Sequence, residues 1–195
     1  MLSLFETMEP YAWHGSWAVW GSWDATPPFG RHGNLRFPTH ETQQLNRLHG
    51  RAVILGLNPA GDGQPPVRIP GREWANFHTP GVHNDHFLAT AFYGTWLWGC
   101  YMTDLIPGTH QSKSAEVNPG DTDVEAFIQE VSLLGEPDQL FVCLGDKTYK
   151  ALSRSLPADS RVVKVPHYSA SNGRVHKGRP EVYREICQQA LAEYL

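Results

Sequence analysis

The stretch of sequence that decides the fold is residues 51–63, which read R-A-V-I-L-G-L-N-P-A-G-D-G. Residues 52–57 are a short, nearly continuous apolar run rich in branched side chains, a pattern typical of a strand buried on both faces. Asn58 therefore lies just beyond the carboxyl end of the predicted strand. Ligands of open α/β sheets bind at that end, so Asn58 is a candidate site residue. Pro59 favours an extended backbone at Asn58, and two later glycines let the loop approach a ligand closely.

A second stretch, residues 162–173 (V-V-K-V-P-H-Y-S-A-S-N-G), repeats this arrangement. β-Branched residues again lead into a polar loop, which carries His167, Ser169, Ser171 and Asn172. Taken alone, the first stretch is more typical of an ordinary strand-to-loop transition than of a functional site. Two such loops in one chain favour a shared site, because the carboxyl ends of parallel strands meet at one edge of a sheet.

The composition is that of a single domain with a sizeable core. The chain has 195 residues, of which 41% are hydrophobic and 11% aromatic, and this excludes a disordered protein. The net charge of −4 gives no global basic signature, so contact with nucleic acid must come from a local patch or from stacking. The chain begins with acidic residues where a signal peptide is basic, and no apolar run is long enough to span a membrane. We therefore predict a monomeric, cytoplasmic protein with no membrane contact.

The three cysteines are widely spaced at positions 100, 143 and 187. They form neither a disulfide framework nor a C-x-x-C metal motif, so we expect reduced thiols. His78, His83 and His86 lie close to Asp85, and imidazole and carboxylate groups are metal ligands. Their spacing does not match a metal-binding signature, so we predict no metal.

Tryptophans recur in the N-terminal segment, residues 1–50, at positions 13, 17, 20 and 23. One interpretation is a surface on which exposed bases stack. The favoured interpretation is that the tryptophans anchor this segment, as an extension, onto the core of the single domain. Residues 25–38 are rich in proline and glycine and predict a loop, and residues 39–49 predict a short helix that Gly50 ends.

The rest of the chain alternates between strand and helix patterns, which predicts an α/β fold. We expect three layers, with a small, mostly parallel, four-stranded sheet between helices and right-handed crossovers. The predicted strands are residues 52–57, 97–105, 140–144 and 161–165, and the predicted helices are residues 84–93, 121–134, 147–156 and 180–195. Residues 60–81 form a loop of a length that is often functional.

The two motif stretches together resemble the uracil-DNA glycosylase superfamily. Its members carry a first motif of the type G-x-N-P-G or G-x-D-P-Y after the first core strand, and a second motif, H-P-S-P, near the end. The counterparts here are Gly56-Leu57-Asn58-Pro59-Ala60 and His167-Tyr168-Ser169-Ala170. The first motif is most similar to the mismatch-specific and single-strand-selective branches. Ala60 departs from the usual glycine, and Tyr168 and Ala170 replace both prolines.

The resemblance implies a DNA glycosylase of base excision repair, which flips out uracil or another deaminated base and hydrolyses its N-glycosidic bond. This reaction develops positive charge on the sugar and negative charge on the departing base. By resemblance, the catalytic residues are Asn58, which positions water, and His167, which donates a hydrogen bond to the anionic base. An amide cannot act as a general base, so we expect modest turnover. Three cysteines are too few for the iron–sulfur cluster of some branches, and we predict no cofactor.

The resemblance also implies a base pocket and a DNA surface. Phe77 is the expected stacking residue, and Asp104 lies at the end of the second strand, where related enzymes contact the base edge. The predicted base-binding residues are Gly56, Leu57, Pro59, Phe77, Asn84 and Asp104. The predicted residues that contact single- or double-stranded DNA are Ser169, Ser171, Asn172, Arg174 and Lys177.

Two other classes of function fit the same sequence. One is a hydrolase or transferase of free nucleosides or nucleotides on the same fold, which the low positive charge would suit. The other is a non-catalytic domain that binds nucleic acid or a protein partner.

Overall fold

The computed structural model describes residues 3–21, 26–64 and 67–195. Trp23 and the start of the predicted 25–38 loop lie outside the described residues. The α-helices are α1 Leu4–Thr7, α2 Thr42–Leu45, α3 Asp85–Phe92, α4 Asp121–Ser132, α5 Asp146–Ser155, α6 Gly173–His176 and α7 Pro180–Ala190. The strands are β1 Ser16–Trp17, β2 His49–Gly56, β3 Cys100–Asp104, β4 Leu140–Leu144 and β5 Arg161–Val165. Short 3₁₀ helices cover Glu9–Tyr11, Ser114–Glu116 and Ala170–Asn172.

The predicted α/β class and the mostly parallel sheet are confirmed. The sheet has five strands in the order β1-β3-β2-β4-β5, so the predicted number of four is wrong. Strands β2 to β5 are parallel to their neighbours, and β1 pairs antiparallel with β3. Helices α3 and α7 pack together, as do α4 and α5, which is consistent with a helical layer on each face of the sheet.

The central strands form where the apolar runs predicted them. Every residue of β3 and of β4 is buried, and so are the last five residues of β2. β4 and β5 have the predicted bounds. β2 begins three residues earlier than predicted, at His49, and ends one residue earlier, at Gly56, whereas β3 begins three residues later than predicted, at Cys100, and ends one residue earlier, at Asp104. Gly99 there has φ of 97°, and a side chain at this position would meet the Arg47 carbonyl oxygen at 2.4 Å. Glycine at position 99 therefore permits the close approach of the Arg47 backbone just before β3.

The fifth strand comes from the tryptophan-rich segment. Trp17 lies opposite Tyr101 in the antiparallel pair, and its ring centroid lies 5.0 Å from that of Tyr101. Trp17 and Trp20 are fully buried, so neither ring is available for stacking on exposed bases. Gly15 permits this packing, because a Cβ there would lie 2.1 Å from the Tyr101 hydroxyl oxygen.

A buried polar network holds the same segment against α4. The Nε2 atom of His14 lies 2.9 Å from a carboxylate oxygen of Glu130, and the Tyr101 hydroxyl donates to the other oxygen at 2.8 Å. All three side chains are buried. Burial, with the negative charge of Glu130, raises the pKa of Tyr101 well above its usual value, so the hydroxyl remains a donor. The part of the N-terminal segment around His14 is thus built into the core.

Two helix predictions need correction. Only Thr42–Leu45 of the predicted 39–49 helix is helical, and Gly50 lies inside β2 rather than ending a helix. A Cβ on Gly50 would lie 2.5 Å from the Cβ of Leu134, so this glycine permits close packing of the chain that follows α4. The last helix, α7, ends at Ala190 rather than at residue 195. Within the part of the chain that the structure describes, no helix is both long enough and apolar enough to cross a membrane.

We expect Trp17→Ala to lower the free energy of unfolding by about 3 to 5 kcal/mol, because it empties a fully enclosed site beside β3. Urea denaturation followed by circular dichroism measures this loss. Trp13→Ala is the matched control: Trp13 is only half-buried, and its ring lies beneath Arg68, so the loss should be smaller. Equal losses in the two variants would contradict the packing described for β1.

Candidate functional site

The carboxyl ends of the four parallel strands open into a cleft of about 940 Å³. The chain leaves β2 towards β3 on one side and leaves β4 towards β5 on the other, so the sheet has a switch point between β2 and β4. Such switch points are where open α/β sheets bind ligands. Residues at or just beyond every strand end line the cleft, among them Asn58, Asp104, Gly145 and His167.

The floor of the cleft depends on Gly56. Gly56 and Asp104 are direct neighbours in the β2–β3 register. A Cβ on Gly56 would lie 2.1 Å from a carboxylate oxygen of Asp104 and 3.3 Å from the tip of the Phe77 ring. Glycine at this position therefore lets both side chains close over the end of β2.

Asp104 is a buried carboxylate in which Oδ2 is hydrogen-bonded and Oδ1 packs beside Gly56. The side-chain amide of Asn76 donates to Oδ2 at 2.9 Å, and no described residue donates to Oδ1. Burial raises the pKa of Asp104 to about 6, although the amide of Asn76 and the neighbouring His14 oppose this shift. At neutral pH the carboxylate is therefore mostly ionised and accepts hydrogen bonds.

Phe77 lines the cleft from a strained backbone conformation. Its φ is 62°, in the left-handed region that non-glycine residues seldom adopt. The buried indole of Trp20 donates to the Phe77 carbonyl at 3.0 Å and holds this conformation. Strain of this kind concentrates at functional sites. The N-terminal segment thus supports the residue that the resemblance assigns to stacking.

Asn58 lines the cleft, but its amide nitrogen is already engaged. This nitrogen donates to the carbonyl oxygens of Pro59 at 2.8 Å, Thr109 at 3.1 Å and Gln111 at 2.8 Å. The side chain therefore joins the loop after β2 to the loop after β3. Only Oδ1 of Asn58 remains to accept a hydrogen bond from water, which is a narrower role than sequence reasoning assigned.

His167 is held as a neutral hydrogen-bond donor. The backbone N–H of Ser169 donates to Nδ1 at 3.1 Å, so the proton of the neutral ring lies on Nε2. Burial, with a smaller effect of His83, lowers the pKa of His167 to about 4. The ring stacks on Tyr168, with centroids 4.7 Å apart and planes 13° apart. At neutral pH, Nε2 can donate one hydrogen bond.

Tyr168 and Asp85 connect the His167 loop to the start of α3, a link that sequence reasoning missed. The side-chain amide of Asn84, the N-cap of α3, donates to the Tyr168 carbonyl at 3.1 Å. Asp85 accepts a hydrogen bond from the Thr79 N–H at 2.7 Å. Burial raises the pKa of Asp85, while the Tyr168 hydroxyl favours its charged form. The sequence signal for this link was Tyr168, which replaces the first proline of the H-P-S-P motif.

The predicted DNA-contacting residues divide into two groups. Ser169, Ser171 and Asn172 line the cleft, and the two serine hydroxyl oxygens lie 2.7 Å apart. Arg174 and Lys177 are exposed on and after α6 but do not line the cleft. The remaining predicted base-pocket residues, Leu57 and Pro59, line it beside Asn58.

The histidines near α3 are not arranged around a common point. Both ring nitrogens of buried His78 face carbonyl oxygens, those of Leu35 at 2.7 Å and Trp17 at 3.0 Å. No group of three or more histidine, cysteine, aspartate or glutamate side chains among the described residues could hold a metal ion.

No family model matches the chain, and no curated protein matches it.

We expect Asn58→Asp to loosen the contact between the loops after β2 and β3, because an ionised carboxylate cannot donate to carbonyl oxygens. Hydrogen exchange should accelerate at the amides that bridge these loops, those of Gly63, Gln111 and Ser112. Mass spectrometry of the relevant peptides measures this, with the core strand β4 as the internal reference. Unchanged protection of the bridging amides would contradict the structural role of Asn58.

Because the pKa of Asp104 is raised, the difference in stability between wild type and the Asp104→Asn variant should depend on pH. The pKa of Asp104 is about 6 in the folded protein and 3.8 for an ordinary aspartate. Between these two pH values the folded protein keeps a proton that the unfolded chain releases. Asp104 therefore reduces the free energy of unfolding as pH rises from about 4 to 6, by up to about 3 kcal/mol. Asp104→Asn should gain stability relative to wild type over this range, as measured by urea denaturation at each pH. A constant difference between the two proteins would contradict this.

Proposed function

We propose that this protein is a DNA glycosylase that removes uracil or another deaminated base, on a uracil-DNA glycosylase-like three-layer fold. The observation that carries the proposal is the neutral imidazole of His167, a donor through Nε2, in one cleft with Phe77 and the available oxygen of Asp104. An aromatic face, an acceptor and a neutral donor are what a flipped base with a lactam edge requires.

The flipped base stacks on Phe77 and presents its edge to Asp104. Uracil, hypoxanthine and xanthine each carry a ring N–H beside a carbonyl group. The ionised carboxylate accepts from this N–H, and its Oδ1 atom has no donor among the described residues. Burial of Asp104 strengthens such a contact, because little water competes for it.

His167 stabilises the leaving group. The bond between C1′ and the base nitrogen breaks with its electron pair on the base, and Nε2–H donates to the carbonyl oxygen that takes up the charge. A neutral donor suits this step. Because burial lowers the pKa of His167 to about 4, the ring stays neutral and does not take the ring N–H proton of the bound base. Water, oriented by a hydrogen bond to Oδ1 of Asn58, then adds to C1′, and its proton passes to the departed base anion, which leaves as the neutral base.

A second candidate function is the hydrolysis of free nucleosides or nucleotides. The net charge of −4 favours it, since a small substrate needs no long basic surface. The same three side chains would bind the base, and the phosphate or sugar would lie at the mouth of the cleft.

The direct experiment uses single- and double-stranded oligonucleotides that contain uracil, hypoxanthine or xanthine, with cleavage at abasic sites as the readout. We expect wild-type protein to generate an abasic site at one of these bases. His167→Ala should reduce the rate by about 10²- to 10³-fold, because it removes the donor to the departing base. Phe77→Ala should reduce it by about tenfold through lost stacking.

The matched control is His40→Ala, since His40 is exposed and outside the cleft lining, and its rate should equal that of wild type. Folded wild-type protein that leaves every oligonucleotide intact would overturn the proposal. Release of free base from nucleosides or nucleotides in a parallel reaction would then identify the second candidate function.

A further inference from the structure

The ring that stacks on the base and the donor to the departing base lie on different loops. Phe77 belongs to the loop before α3, and His167 belongs to the loop after β5. The two groups act on one base, so the distance between their loops must be fixed, because a displacement of about 1 Å can cost a large part of a catalytic effect. The contacts that join the two loops therefore matter for the reaction.

The side chain of Asp85 holds the first of these loops. Asp85 is the first residue of α3, a helix in which every residue is buried. Its Oδ2 atom accepts a hydrogen bond from the backbone N–H of Thr79 at 2.7 Å. Thr79 lies two residues beyond Phe77, whose backbone is in the left-handed region. Asp85 thus fixes the chain just after the strained residue, from a rigid helix.

The same side chain reaches the second loop at Tyr168. Burial raises the pKa of Asp85, and the hydroxyl of Tyr168 lies close enough to oppose that shift by hydrogen bonding. Burial, with the charge of Asp85, raises the pKa of Tyr168 well above its usual value, so the hydroxyl remains a donor. The side-chain amide of Asn84 donates to the carbonyl of Tyr168 at 3.1 Å. The start of α3 therefore holds Tyr168 both at its hydroxyl and at its backbone.

Tyr168 in turn supports the imidazole of His167. The two rings are nearly parallel, with centroids 4.7 Å apart and planes 13° apart. Tyr168 is buried, and a ring that is also held at its hydroxyl end is a fixed surface for the imidazole. Tyr168 stands where the H-P-S-P motif has its first proline, which restrains the backbone by its own ring. Here the restraint comes from contacts with α3.

We propose that Asp85 and Tyr168 are positioning residues that fix the spacing between the stacking ring of Phe77 and the leaving-group donor of His167. This proposal rests on the proposed function and deepens it. Neither side chain reacts: Asp85 acts through the Thr79 backbone and through Tyr168, and Tyr168 acts through the imidazole that rests on it. One buried side chain thus links the two halves of the site.

Kinetics and binding of an uncleavable probe separate this role from a purely structural one. The substrate is a single-stranded oligonucleotide with the deaminated base that wild type excises, and the probe carries its 2′-fluoro analogue. Tyr168→Phe keeps the ring stack but loses the hydroxyl. It should lower kcat about tenfold and leave KM and probe affinity unchanged, because the donor acts only as charge develops on the base. Tyr149→Phe is the matched control, since Tyr149 is half-buried and outside the cleft lining, and it should equal wild type.

Asp85→Ala should affect both loops. It should lower kcat about tenfold and weaken probe binding about threefold, because the loop of Phe77 also loses its anchor at Thr79. Asp85→Asn should restore probe affinity, since an amide oxygen still accepts from the Thr79 N–H. The double variant Asp85→Ala/Tyr168→Phe should have the kcat of Asp85→Ala, because the hydroxyl has already lost its partner. Asp138→Ala is the control, since Asp138 is exposed and outside the cleft lining.

NMR relaxation tests the same link without catalysis. The order parameter of the His167 Cε1–H bond should fall in Tyr168→Phe and in Asp85→Ala and remain unchanged in Tyr149→Phe, because only the first two release the ring on which the imidazole rests. Tyr168→Phe removes one hydroxyl oxygen and keeps the test valid even where Asp85→Ala does not fold.

The outcomes distinguish the positioning role from the proposed activity. Wild-type kcat in Tyr168→Phe, or losses in the two single variants that multiply in the double variant, would overturn the positioning role alone. If wild type excises no base, lower order parameters in the two variants support the link between the loops and reject the glycosylase. Unchanged order parameters in both variants reject the link.

Discussion

The close approach of Asp104 and Phe77 to the backbone of Gly56 is the contact on which the rest of the site depends. These two side chains occupy the space where any other residue would place its Cβ atom. Their positions set the floor of the cleft at the switch point of the sheet, between the ends of β2 and β4. The glycine of the first motif is thus explained by packing, because Gly56 has the ordinary backbone conformation of a strand residue.

That contact is maintained by the N-terminal segment. Asn76 donates from one amide nitrogen to the His14 carbonyl at 2.7 Å and to Asp104 at 2.9 Å, and Trp20 holds the carbonyl of Phe77. The described part of residues 1–50 therefore packs on the core and holds side chains of the cleft lining in place. Burial of Asp104 raises the pKa of its carboxyl group, and His14 of this segment opposes that shift.

Sequence reasoning predicted the parts of the molecule that local patterns determine. The apolar runs predicted β2, β4 and β5, and the polar residues after them led to Asn58 and His167, which do line one cleft. The parts it missed depend on contacts between distant residues. A two-residue strand such as β1 has no periodicity of its own. The engagement of the Asn58 amide by the loop after β3, and the orientation of His167 by the backbone of Ser169, exist only once the chain has folded.

The proposed function requires that this cleft receive a base turned out of DNA. A crystal structure of the protein with a duplex that contains a deaminated 2′-fluoro nucleotide, whose N-glycosidic bond resists hydrolysis, tests it most directly. We expect the base to lie flat on Phe77, with its ring N–H directed at the Asp104 carboxylate and its carbonyl oxygen about 3 Å from Nε2 of His167. A nucleotide still stacked in the duplex, or DNA bound on another face with the cleft free of base, would contradict it.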